Sequence, residues 1–140
     1  MDITELIANQ LNSLFPDIDI YRENIEGEFK EPSFFIQRIS LALSPRLFEI
    51  QKRNYSYHIV YFPKLTKTGT PSKEDMDAMA EKLAIDFQKI DGLIRLTDRE
   101  ITPSDDDTLH FSFSVEIHVK PEQVDSFNQN LETNTGIKED

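Results

Sequence analysis

The chain of 140 residues has no cysteine and only four glycines, at positions 27, 69, 92 and 136. Without cysteine there is no disulfide framework, no thiolate nucleophile and no ordinary structural zinc site, which fits folding in a reducing compartment. The scattered glycines cannot spell the dinucleotide fingerprint or the phosphate-binding loop, which need close-set glycines to bring backbone to a phosphate. Lys67-Thr68-Gly69 has the right residue types in the wrong order and number. Positive charge is scarce too: 15 Lys and Arg against 26 Asp and Glu leave a formal charge of -11. A surface of that sign repels phosphate, which disfavours nucleic acid and anionic membrane as electrostatic partners. No apolar run approaches the ~20 residues of a membrane-spanning helix. The acidic opening Met-Asp-Ile-Thr-Glu is unlike a secretion signal, so the expectation is no membrane partner and cytoplasmic synthesis.

What the chain does have is pattern. From Thr108 to Lys120, Leu109, Phe111, Phe113, Val115, Ile117 and Val119 alternate with His110, Ser112, Ser114, Glu116 and His118. A period of two in β-branched and aromatic residues predicts a long strand with one face on a core and one in water. A register slip by one residue would turn the apolar face outward, so the pairing is well specified.

The rest of the chain supplies that core. Asp2 with Glu5 reads as a helix start. Ile3, Leu6, Ile7, Leu11, Leu14 and Phe15 form a helical stripe that Pro16 ends. Ile18 to Arg22 suggests a short strand, and Glu23 to Glu31 a loop anchored by Phe29. Ser33 to Ile39 reads as a second strand buried on both sides. Leu41 to Arg53, with Pro45 inside it, reads as a strand end and a long excursion, a bent arm between strands. Tyr55 to Phe62 is a third strand, with Tyr55, Tyr57, Ile59 and Tyr61 on one face, closed by Pro63. A basic loop follows from Lys64 to Pro71. Ser72 and Asp75 then start a helix with the stripe Met76, Met79, Ala80, Leu83, Phe87 and Ile90, ending at Gly92. Leu93 to Ile101 and the strand from Thr108 form a hairpin around the turn Pro103 to Asp107. The expected fold is α+β: a single, mostly antiparallel sheet of four to five strands with two main helices packed on one face. Residues 1–120 form one domain, and 121–140 are a polar C-terminal tail, partly disordered, in which Val124, Phe127 and Leu131 could seed a helical turn.

Chemistry is harder to find. His58, His110 and His118 are the only histidines. His110 and His118 are ~27 Å apart on one strand, too far to share a metal. His58 can reach one of them if the strands pair, though a solvated sheet face explains all three. Asp105-Asp106-Asp107 lacks the alternating spacing and closing Glu of a calcium loop and suits a tight turn. No nucleophile has a recognisable base beside it, and no cofactor box is visible. The reading is not an enzyme, with no catalytic residue, cofactor or metal.

Three stretches carry a resemblance. They are Leu14-Phe15-Pro16-Asp17 running into Ile18-Asp19-Ile20-Tyr21, Gly27-Glu28-Phe29-Lys30-Glu31-Pro32-Ser33-Phe34-Phe35-Ile36, and Arg53-Asn54-Tyr55-Ser56-Tyr57-His58-Ile59-Val60-Tyr61-Phe62-Pro63. With the helix from Ser72 and the strand through Leu109-His110-Phe111, their order and spacing resemble the small tail-terminator proteins of long-tailed phages and phage-derived elements, over residues 1–120. The resemblance implies a structural protein that self-assembles as a hexameric ring, many of its kind being monomers in isolation. The ring would cap the head-proximal end of the tail tube, stop polymerisation and offer a surface to a head-completion (stopper) protein. It also implies assembly in the host cytoplasm, a place in the virion tail, and DNA passing through the channel without specific binding. Candidate subunit or tube contacts are Arg46, Leu47, Phe48, Lys52, Arg53, Lys64 and Lys67, in the excursion and the basic loop. The alternative for Leu47 and Phe48 is packing on their own domain, and for the lysines simple solvation. A rival reading of the whole chain is a monomeric adaptor that binds partner proteins without catalysis.

Overall fold

A computed structural model describes residues 2–22 and 30–120. The Glu23 to Phe29 part of the predicted loop, with its Phe29 anchor, and the predicted C-terminal tail lie outside the described residues. Helix α1 spans Ile3–Leu14, and the Asp2 carboxylate accepts the Glu5 backbone N–H at 3.2 Å, the expected cap. Strands β1 (Asp19–Tyr21), β2 (Ser33–Pro45) and β3 (Gln51–Phe62) precede helix α2 (Lys73–Asp86), and β4 (Lys89–Ile90), β5 (Ile94–Pro103) and β6 (Leu109–Val119) follow it. The sheet therefore has six strands, in the order β1-β2-β3-β6-β5-β4, not four to five. It is antiparallel except for β1 with β2.

The extra strand comes from the end of the second helix. The helical stripe runs on through Ile90 in sequence, yet α2 ends at Asp86, where the Phe87 N–H closes on the Leu83 carbonyl. Ile90 is fully buried, but as part of β4. Both helices lie on one face of the sheet. Ile3, Ile7, Leu11 and Phe15 of α1, and Met76, Met79, Leu83 and Phe87 at α2, join one core with Phe34, Ile36, Tyr57, Ile59, Tyr61, Phe111 and Phe113. Burying each large side chain is worth about 1.5–3 kcal/mol. Phe87 meets Phe111 and Phe113 edge-on at ring distances of 5.6 and 5.7 Å, a favoured aromatic geometry. Tyr61 O–H donates to Asp75 at 2.6 Å, and the Lys64 backbone N–H reaches the same oxygen at 2.9 Å, tying the start of α2 to the end of β3.

Two β-bulges shape the sheet, between Arg38 and Ser40 on β2 and between Thr97 and Glu100 on β5. Each adds local bend and twist. The first also reverses which residues of β2 face the helices: Phe34 and Ile36 before it, Leu41 and Leu43 after it, because Leu41 pairs with core-facing Tyr55. Only Phe34 and Ile36 of the expected doubly buried centre are buried hydrophobics, and Phe35 is half-buried on the other face.

Candidate assembly interface

Beyond the bulge, β2 and β3 continue as a hairpin arm. The predicted excursion is thus a regular ladder, Leu41 with Tyr55, Leu43 with Arg53 and Pro45 with Gln51, flanked by Val115, Ile117 and Val119 on β6. The row of Leu41, Tyr55 and Val115 extends to Leu96 on β5. On the helix side nothing among the described residues covers the arm: Leu41 is 37% exposed and Leu43 55%. On the opposite side Lys52 pairs with Glu116 at 3.3 Å, and Glu116 also neighbours His118 at 3.9 Å. The Arg53 Nε donates to Gln51 at 2.8 Å.

At the tip, the Arg46 N–H donates to the Ile50 carbonyl at 2.7 Å and encloses a short 3-10 turn, Leu47–Glu49. Phe48 and Glu49 both sit at φ 62°, a region that side chains with a Cβ rarely adopt. Leu47 and Phe48 are 78% and 82% exposed, so they do not pack into the core of the described residues. Leu43, Pro45, Arg46, Glu49 and Ile50 line a concavity of about 270 Å³ beside them. Between residues 38 and 53 the chain carries Arg38, Arg46, Lys52 and Arg53 against Glu49 alone, a basic arm on an acidic body.

The basic loop lies at the other end of β3, roughly 35 Å away at the usual rise per residue. It is a closed turn: Leu65 bridges Pro71, Thr66 N–H donates to Thr70 O at 2.7 Å, and the hydroxyls of Thr66, Thr68 and Thr70 bond one another. Lys64 and Lys67 stand exposed on it. The predicted contact residues therefore form two groups, Arg46, Leu47, Phe48, Lys52 and Arg53 on the arm, and Lys64 and Lys67 at the far end. The two ends of the sheet present different surfaces. A family model for phage tail terminator proteins matches residues 2–126. The chain belongs to the phage tail terminator family. No curated protein matches it.

In this tail terminator the sheet face away from the helices carries a polar relay. His58 and His110 are not separately solvated: their rings lie 4.7 Å apart, and His58 Nε2 meets His110 Nδ1 at 2.7 Å. Thr108 Oγ1 lies 2.5 Å from Asp106 Oδ1 and 3.0 Å from His110 Nε2. Asp106 is held below the usual carboxylate range, chiefly by the Thr108 hydroxyl and then by Ser104. Its carboxylate therefore accepts a hydrogen bond from the Thr108 hydroxyl, and in the tautomer with His110 protonated on Nε2, Thr108 Oγ1 accepts from that N–H while His110 Nδ1 accepts from His58 Nε2–H. Burial, and then the charge of His110, push the His58 pKa down. The acidic triplet forms the tight turn at that end, with the Asp107 N–H on the Ser104 carbonyl at 3.1 Å. Among the described residues no group of three or more His, Asp or Glu is placed to hold a metal ion, and no helix is long and apolar enough to cross a membrane. Two exposed apolar side chains escape sequence reasoning, Ile85 on α2 and Leu93 in the β4–β5 turn, 63% and 85% exposed. Each lies beside core apolar residues in sequence, Ile85 between Leu83 and Phe87 and Leu93 before Ile94, so nothing local marks it as the exposed one.

Proposed function

We propose that this tail terminator caps the head-proximal end of the tail tube as a hexameric ring, stops tube polymerisation, and presents a surface to the head-completion protein. The arm is the observation that carries this reading. It is regular, basic and apolar on a side that nothing among the described residues covers, and its Phe48 is held in a costly backbone conformation far from any core. A tube grows by head-to-tail stacking, so a cap needs one face that matches the tube and one that does not. The arm at one end of the sheet and the Lys64–Pro71 loop at the other supply two such unlike surfaces. Arg46, Leu47, Phe48, Lys52 and Arg53 are the proposed subunit or tube contacts, and Lys64 and Lys67 serve the second partner. The role is structural, without catalysis, performed first in the host cytoplasm and then in the virion tail, with DNA sliding past an acidic protein that does not hold it. Residues 1–120 act as one domain, followed by a polar tail.

The test is the mass of the purified chain by light scattering, alone and with tail-tube protein, alongside tube lengths by electron microscopy. A hexamer, or tubes of limited length carrying this chain at one end, is the expected result. A monomer that leaves tube growth untouched would favour the adaptor reading instead. That reading has its own support: β1 covers only Ser33 to Phe35 of β2, and the remaining edge could accept a peptide strand.

A further inference from the structure

Among the described residues the arm lacks the helix layer that covers the rest of the sheet, and the opposite edge carries a piece of that layer with two apolar side chains exposed. At that edge Arg99 donates to the carbonyls of Leu83, Ala84 and Phe87 at 3.5, 3.1 and 3.2 Å, fixing the end of α2 to β5. The Leu93 N–H closes the neighbouring turn on the Ile90 carbonyl at 3.2 Å. This corner is therefore rigid, and it exposes Ile85 and Leu93. Its charges are mixed: Asp86, Asp91 and Asp98 stand exposed among Lys89, Arg95 and Arg99, and Asp91 forms no ion pair among the described residues.

The two surfaces also lie at one level along the strands. Leu41, Tyr55, Val115 and Leu96 share a row. The next row toward the arm tip holds Leu43, Arg53 and Ile117, and β5 runs back in the same direction through Ile94 to Leu93. Copies set side by side without sliding along the strands thus bring one arm level with the next copy's corner. A closed ring needs this kind of heterologous, unshifted contact. We propose that the arm tip of one copy receives the corner of a second copy, Leu93 seating in the concavity lined by Leu43 and Ile50, Ile85 beside it, and Arg46 facing Asp91. The inference rests on the ring reading above and names the two halves of its lateral contact. Apolar seating supplies the attraction, and the one pairing of Arg46 with Asp91 fixes the orientation.

The absence of cysteine makes the test clean. A Leu43→Cys chain and a Leu93→Cys chain are mixed, assembled with tail-tube protein and oxidised. The expected product is a disulfide-linked pair holding one chain of each kind, in preference to pairs of the same kind. Arg46→Glu lowers its yield by about tenfold, and adding Asp91→Arg to the Leu93→Cys partner restores it. Hexamers that form without this link overturn the inference and leave the ring standing. A chain that never exceeds a monomer, with or without tube protein, overturns both. Unchanged protection of Leu43→Cys from maleimide on assembly, lost when the chain is ended at Lys120, would make the chain's own C-terminal segment the occupant and also overturn it.

Discussion

Phe48 holds a left-handed backbone conformation that costs an L-residue about 1–2 kcal/mol, and its ring gains no core contact in return, being 82% exposed. Glycine adopts that conformation without strain. Phe48→Gly should therefore leave the melting temperature of the isolated chain unchanged or raised, while weakening tube capping by about tenfold, as loss of an aromatic anchor does. A lower melting temperature with capping intact would assign Phe48 to the chain's own packing. At the other end of the molecule, the His58–His110 bond accommodates one added proton and not two. The His58 pKa is depressed below its ordinary value, so between that lowered pKa and about 6.5 the unfolded chain binds more protons. The stability contributed by neutral His58 is complete above that window and is lost as the pH falls through it. His58→Gln keeps a donor toward His110, and urea titrations should show a smaller loss between about pH 7.5 and 5.5 than in the parent chain. Parallel losses in the two proteins would remove His58 as the cause.

Among the elements, those with local signals were legible in sequence. Both helix starts are written in a capping residue and its partner, and Asp2 and Ser72 do cap α1 and α2. The period of two through β3 and β6 needs no distant information either. The arm was less legible because the bulge at Ile39 inserts a residue and moves the apolar set from Phe34 and Ile36 to Leu41 and Leu43, so that no single period spans β2. The predicted contacts on the arm were named from composition, but the corner with Ile85 and Leu93 depends on how α2 ends and carries no sequence pattern. Asp75 shows what a local cap becomes in three dimensions. Its N–H is taken by the Ser72 hydroxyl, while its carboxylate accepts from Tyr61, a phenol whose pKa is pushed far above the usual range by burial and then by Asp75 itself. Asp75→Ala leaves the Tyr61 hydroxyl without that acceptor and should lower the unfolding free energy by about 1–3 kcal/mol in urea. An unchanged value would mean that the tie between β3 and α2 is replaced by water at no cost.

For the molecule as a whole, the uneven distribution of charge matters more than its total. The chain is at -11, and the stretch from Arg38 to Arg53 runs against that sign. Duplex DNA should show no saturable binding at moderate salt, measured by fluorescence anisotropy; tight binding would end the proposal that DNA slides past this protein. The shape of the sheet bears on assembly in another way. The bulges on β2 and β5 flank the same stretch of the central pair, at Tyr57 and Ser56 on one side and Ser114 and Ser112 on the other. They act as a crease, so the arm is a lever whose angle to the body is set by how many residues stand on each side of the fold line. Substitutions in the arm change what the lever grips. Removing Ile39 changes where it points, turning Leu41 and Leu43 to the opposite face without altering any residue at the contact, and a ring built from such subunits would have to close at a different angle or stay open.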